Sequence, residues 1–232
     1  MIVIASCKDD YLDENLKYIR AYNRDKKVLV IQNVKGENSE YISKKYDDLN
    51  LTIVNSDKNL REWGSWWLAY SLFPNEKFYC FIHDSMYLKQ NVSKFVPKKD
   101  SEIFAFATMN GWGNKKHAKN PFAKSIFKKI KIKEKDVFNM KLIFGCMFIC
   151  RNSFMKKMKK EGITEFYAKD RNTACCSERV LGVIVKHFKY RVISYTEKIP
   201  SGKNAKGVAS LGNKVKSEND LFVKIRSGRG HK

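Results

Sequence analysis

The sequence predicts an α/β fold with a mixed, mainly parallel central sheet flanked by helices. Two observations carry that prediction. Short apolar runs of strand length alternate with segments whose apolar residues recur every three or four positions, in the order β-α-β-α-β-α-β. In addition, 43% of the 232 residues are hydrophobic, with 15 Phe, 11 Tyr and 4 Trp, enough large side chains to build a core.

The elements follow in order. IVIAS (2–6) is an apolar run ended by Cys7, Lys8, Asp9 and Asp10, and reads as a buried first strand. Leu12, Leu16, Ile19 and Tyr22 form a helical stripe. VLVIQN (28–33) is a second strand, Tyr41, Ile42, Lys45 and Tyr46 mark a short helix, and LTIVNS (51–56) is a third strand. A Trp-rich helix is expected over 61–73. A fourth strand, FYCFIHDS (78–85), runs into a polar tip, and IFAFATM (103–109) is a fifth. The second half is less regular. Gly111-Trp112-Gly113 opens a loop, and 115–135 holds nine Lys and one Glu around an amphipathic helix with Phe122, Ile126, Phe127 and Ile130. LIFGCMFIC (142–150) reads as one buried strand, 153–160 as a basic helix, 175–188 as a strong helix and RVISY (191–195) as a last strand. From residue 201 onward Gly, Ser, Asn and Lys dominate, which predicts an irregular tail. The expected division is one domain over 1–200, in two halves (1–110 and 111–200), followed by a basic tail over 201–232.

Composition excludes several classes. Twelve Gly and four Pro exclude collagen-like and low-complexity architecture. The longest apolar runs, 66–73 and 142–150, fall far short of the roughly 20 residues of a membrane span. The start of the chain turns acidic at once and lacks the basic flank of a secretory signal, so a cytoplasmic location is expected. Six cysteines with no CxxC, and four scattered His, give no zinc motif. Cys7, Cys80, Cys146 and Cys150 lie in apolar runs and read as buried, reduced thiols, and the vicinal Cys175-Cys176 pair reads as the start of a helix, with a redox-active pair as the alternative. The 46 Lys+Arg against 24 Asp+Glu give a net charge of +22. A solubilising lysine surface accounts for it, and so does an anionic partner: nucleic acid, anionic lipid or a phosphate-bearing small molecule.

In open α/β sheets ligands bind beyond the carboxyl ends of the strands. Those ends are Ser6-Cys7-Lys8, Gln32-Asn33, Asn55-Ser56-Asp57 and His83-Asp84-Ser85. No GxGxxG and no GxxxxGK[ST] occurs, which counts against a dinucleotide oxidoreductase and a P-loop NTPase. A carboxylate and an imidazole at the tip of a buried strand need partners. A divalent metal holding a diphosphate supplies one, while a turn capped by Asp84 beside a satisfied His83 needs no metal. Asn59 and Glu62 have the spacing of a capping box, and Arg61 between them is alternatively a phosphate- or sugar-facing cation. Glu178 is either a helix-dipole partner in a first turn or a general base.

Taken together, these motifs resemble the GT-A type glycosyltransferases, of the small kind associated with bacterial polysaccharide clusters and large DNA viruses. The resemblance covers roughly residues 1–195. It rests on the order of the polar-ended first strand, the Asn59-to-Gly64 segment before the Trp-rich helix, the acidic triplet after strand four, the FGCMFICRNSF unit and the ERVLG helix. It implies a single Rossmann-like domain that moves a sugar from a nucleotide-diphosphate sugar to a hydroxyl of a glycan, lipid-linked or protein acceptor. It implies that Asp84, with His83, holds a divalent metal (Mn or Mg). Only the middle position of the triplet is a carboxylate here, a departure that puts strong metal dependence in question. The resemblance further implies that Ser6, Cys7, Asn33, Asp57, Arg61, His83 and Asp84 bind the nucleotide sugar, that Trp112 stacks on a sugar, and that Glu178 is the base of an inverting transfer. Two alternatives stand beside it: a basic nucleic-acid-binding protein, for which no reader motif is visible, and a non-catalytic sugar-nucleotide binder. The basic amphipathic segment 122–130 adds an expected peripheral contact with an anionic surface.

Overall fold

The computed structural model describes residues 1–7, 9–33, 39–56, 58, 60–110, 115–166, 171–198 and 221–224. Four parallel strands open the chain: β1 (Ile2–Ser6), β2 (Val28–Gln32), β3 (Leu51–Asn55) and β4 (Phe78–His83). Between them run α1 (Asp9–Tyr22), α2 (Ser39–Lys45) and α3 (Arg61–Leu72). After β4 come β5 (Met86–Leu88), β6 (Glu102–Asn110), α4 (Pro121–Lys129), β7 (Lys141–Ile143) and β8 (Phe148–Arg151). The chain continues through α5 (Asn152–Lys160), α6 (Arg171–His187), β9 (Arg191–Lys198) and β10 (Phe222–Lys224).

The large sheet has the order β3-β2-β1-β4-β8-β6-β7, with β9 paired to β6. Strands β7 and β8 run against the others, so the sheet is mixed and mainly parallel, as the sequence predicts. Alternation along β1 explains the layering, because successive side chains leave a strand on opposite faces. Ile2 and Ile4 face Leu12, Leu16 and Ile19 of α1, whereas Val3 joins Trp63 and Trp66 of α3 on the other face. Fully burying such side chains contributes about 1.5–3 kcal/mol each. Because α1 and α2 cover one face and α3 the other, the chain reverses its direction across the sheet between β1 and β4. That is a topological switch point, the place in an open α/β sheet where a crevice outside the strand ends receives ligands.

Several expectations are corrected. The run 142–150 is not one strand. It breaks at a 3-10 turn over Phe144–Cys146, where Gly145 and Cys146 take φ of 69° and 56°, and β7 and β8 on either side both pair with β6. Tyr22 is 43% exposed and closes α1 outside its apolar stripe. Helix α6 starts at Arg171, so Cys175 and Cys176 do not begin it. Cys7 is exposed, while Cys80, Cys146, Cys150 and Cys176 are buried free thiols. The tail is not irregular throughout, since β10 pairs antiparallel with β5 and buries Leu221 and Phe222. The apolar side of α4 is core: Ile126 and Phe127 are buried, as is Ile130 just beyond, and Phe122 packs edge-on against Trp63. No apolar face is left there to enter a lipid surface, although Lys124, Lys128 and Lys129 stay exposed. Among the described residues no helix is long and apolar enough to cross a membrane.

Candidate functional site at the ends of strands β1 and β4

The switch point is closed by one carboxylate. Asp84, just past β4, is 8% exposed, and its Oδ2 accepts the Cys7 N–H at 2.7 Å and the Ser6 hydroxyl at 3.4 Å. A hydrogen bond to an ionised group is worth about 1.5–3 kcal/mol, so this contact fixes the two strand ends against each other. A second clamp comes from α1. The Asn15 side chain is fully buried, and its Nδ2 donates to the carbonyls of His83 (3.1 Å), Asp84 (2.9 Å) and Met86 (2.8 Å). Asn15 is not among the residues that the sequence points to. Its signal was a polar residue inside the stripe Leu12-Leu16-Ile19, at the position where helical spacing demands burial.

His83 is held on two sides. Its Nε2 meets the Gly145 carbonyl oxygen at 2.5 Å, and its Nδ1 lies 3.6 Å from Glu62 Oε1. The first contact explains the break in 142–150: the left-handed turn carries a carbonyl across to the tip of β4. The second brings Glu62 to the tip of β4. Leu60 occupies the N-cap position of α3 with no side-chain cap, and the capping box expected between Asn59 and Glu62 lies partly outside the described residues, since Asn59 is not among them.

Asn33 organises the entry to α3. Its N–H donates to the Ser6 carbonyl at 2.8 Å, its Oδ1 accepts the Leu60 N–H at 3.0 Å, and its Nδ2 reaches Ser65 Oγ at 3.2 Å. Its side chain is thus engaged within the fold, not presented to a nucleotide. Arg61, the first residue of α3, has φ of 53°, a left-handed conformation that costs a non-glycine residue about 1–2 kcal/mol. The Cys7 thiol gathers these groups. Desolvation raises it to about 11, the negative charges of Asp84 and Glu62 add to the rise, and the Arg61 guanidinium opposes them. The thiol stays protonated at neutral pH, which disfavours a nucleophilic role.

The remaining candidates stand apart. Asp57 and Trp112 lie outside the described residues. Glu178 is half-buried in the middle of α6, eighth from its start, so a first-turn dipole role is excluded. It lies one turn before Gly182, where a Cβ would come within 2.7 Å of Leu142 Cα. Helix α6 therefore sits tightly on β7 and on the Gly145 turn that grips His83.

Asp84 and His83 are the residues here that would hold the implied divalent ion. Among the described residues no three His, Cys, Asp or Glu side chains are grouped to hold a metal. Asp84 commits its Oδ2 to Cys7 and Ser6, and His83 Nε2 meets a carbonyl oxygen as a donor, a tautomer that leaves the ring's lone pair on Nδ1, 3.6 Å from Glu62 Oε1.

No protein-family model matches the chain, and no curated protein matches it. Solved structures do. A mannosyltransferase of Pyrobaculum calidifontis, PcManGT, in complex with GDP-Man and Mn2+ superposes with a TM-score of 0.53 at 12% identity, over 88% of this chain and 57% of that one. S. aureus TarS in complex with UDP-GlcNAc gives 0.52 at 14%, over 88% and 59%. GalNAc-T7 with UDP, GalNAc and Mn2+ gives 0.53 at 9%, over 85% and 43%. The fold is that of the GT-A type glycosyltransferases, and this chain spans less than two thirds of each of these proteins.

Proposed function

We propose that the protein is a glycosyltransferase that takes its sugar from a nucleotide-diphosphate sugar. The observation that carries the reading is the crevice at the β1–β4 switch point, closed by Asp84 on Cys7 and bordered by Arg61, in a fold whose solved relatives hold GDP-Man, UDP-GlcNAc or UDP. Ser6, Cys7, Asp84 and Asn33 shape the crevice, and Arg61 is the cation for the diphosphate.

In the proposed reaction the Glu178 carboxylate takes the proton of an acceptor hydroxyl. The hydroxyl oxygen bonds to the anomeric carbon as the bond from that carbon to the diphosphate oxygen breaks. The configuration inverts, and the nucleoside diphosphate leaves with its developing charge beside Arg61. Glu178 is supported by its half-buried position on the helix that packs on the Gly145 turn. The acceptor is a glycan, a lipid-linked glycan or a protein hydroxyl.

A thermal-shift panel of UDP, GDP, dTDP and CMP tests the donor site. At least one should raise the melting temperature, and a panel with no shift rejects the reading. With the sugar derivative of the nucleotide that binds, Glu178→Gln should slow release of the nucleoside diphosphate by about 10²–10⁴-fold, the range for a lost general base. Unchanged turnover would remove Glu178 from the mechanism.

A further inference from the structure

The geometry points to Glu62 as a ligand of the divalent ion: its carboxylate and the His83 imidazole take the cation between them and hold it against the diphosphate. The inference rests on the donor reading above. It adds, from helix α3, a second carboxylate that the triplet His83-Asp84-Ser85 lacks. His83 Nε2 lies 2.5 Å from the Gly145 carbonyl oxygen and donates its proton there, which leaves the ring's lone pair on Nδ1. That carbonyl reaches the tip of β4 because Gly145 and Cys146 take φ of 69° and 56°. A left-handed backbone at a cysteine is strained, and such strain gathers at binding sites. An N–H given to a backbone carbonyl by the far nitrogen is also how a metal-ligating histidine is oriented.

Nδ1 faces Glu62 Oε1 at 3.6 Å. That separation exceeds the about 2.7–3.2 Å of an N–H···O hydrogen bond. A lone pair set against a carboxylate is repulsive unless positive charge lies between them. The second oxygen, Glu62 Oε2, is buried and accepts no hydrogen bond among the described residues, a costly state for a charged group. One cation answers both faults. Ligand bonds of about 2.0–2.2 Å let two atoms at this separation share an ion. The His83 and Glu62 side chains are 18% and 22% exposed, so the pair keeps an open side toward phosphate oxygens. One or two carboxylates completed by phosphates and water suit an ion that needs no all-protein cage.

Calorimetry on the full chain tests this, using whichever nucleoside diphosphate gives the largest thermal shift. Its affinity is measured in EDTA and in MnCl2 for the unsubstituted protein and for Glu62→Gln, which keeps the size of the side chain and loses its charge. Mn2+ should tighten binding to the unsubstituted chain by a factor in the about 5–150-fold range of coupled ligands. In Glu62→Gln the tightening should fall below about fivefold, while the affinity in EDTA stays unchanged. Pulsed electron paramagnetic resonance of the bound Mn2+ should show coupling to a directly ligated nitrogen. If Glu62 only pairs with His83 inside the fold, Glu62→Gln lowers the melting temperature and leaves the ratio of the two affinities as it was, which overturns the inference. Absence of Mn2+-dependent tightening in the unsubstituted chain, or of nitrogen coupling, overturns it too and leaves the donor reading intact. Absence of binding in both buffers overturns the donor reading and the inference together. If Glu62→Gln does not fold, Glu62→Ala gives the same ratio.

Discussion

Arg61 places its guanidinium on a backbone that an arginine disfavours. Its φ of 53° begins α3 in the left-handed region, while its carbonyl accepts the Ser65 hydroxyl at 2.6 Å. Strain of this kind persists only where surrounding contacts enforce it, and it clusters at binding sites. Here Asn33 enforces it by fixing Leu60 and Ser65 on either side. Two substitutions separate strain from charge. Arg61→Ala removes the cation and keeps a Cβ at a positive φ, whereas Arg61→Gly removes both. Arg61→Gly should therefore be more stable than Arg61→Ala by about 1 kcal/mol in urea unfolding, while both weaken nucleoside diphosphate binding. Equal unfolding midpoints would show that the left-handed backbone stores no strain. Residue types at this site were legible in the sequence, because a polar residue that ends an apolar run marks the tip of a buried strand. Their partners were not. Nothing local in the sequence ties Glu62 to His83, or Asn15 to three carbonyls nearly 70 positions away, because those contacts exist only after the sheet has assembled.

Helices and strands recover the same distinction one level up. The elements β1 to β4 were readable as short apolar runs with polar ends, and α1 from apolar residues that recur every three or four positions. The break in 142–150 was not readable, since LIFGCMFIC is apolar throughout and only its Gly145 hints at a left-handed turn. The β5–β10 pair joins Met86–Leu88 to Phe222–Lys224, and no local pattern announces a partner so distant. Helix α6 began before its predicted start because Arg171 and Asn172 carry no apolar stripe. Its packing makes a test. At Gly182 a Cβ would stand 2.7 Å from Leu142 Cα and 3.1 Å from the Ile143 nitrogen, both backbone atoms of β7 that cannot rotate away. Gly182→Ala gains about 1 kcal/mol of helix propensity. Overpacking costs about 1–3 kcal/mol, and against backbone the upper part of that range applies. A net loss of about 1–2 kcal/mol in the denaturant midpoint is expected. A stabilised variant would mean that α6 does not sit against β7 as closely as these contacts require.

Across the whole molecule the charge divides with the architecture. Residues 1–110 carry 16 basic and 15 acidic side chains, whereas residues 111–232 carry 30 and 9. The half that supplies β1 to β4 and the crevice is nearly neutral, and almost all of the +22 excess belongs to the half that begins after β6. The exposed lysines of α4 and the basic last turn of α5 are part of it. A charge distributed in this way attracts polyanions without belonging to the strand-end site. A duplex DNA probe should therefore bind at low salt with no preference for sequence. Between roughly 50 and 200 mM salt it should lose about 10³–10⁵ in affinity, if 6–10 phosphates are contacted. Saturating nucleoside diphosphate should leave that binding unchanged, because ligands that occupy separate surfaces and do not couple cannot displace one another. Displacement of the DNA by UDP or GDP would place the polyanion in the crevice. It would also tie the charge excess to the strand-end site, against the division between a nearly neutral half and a basic half.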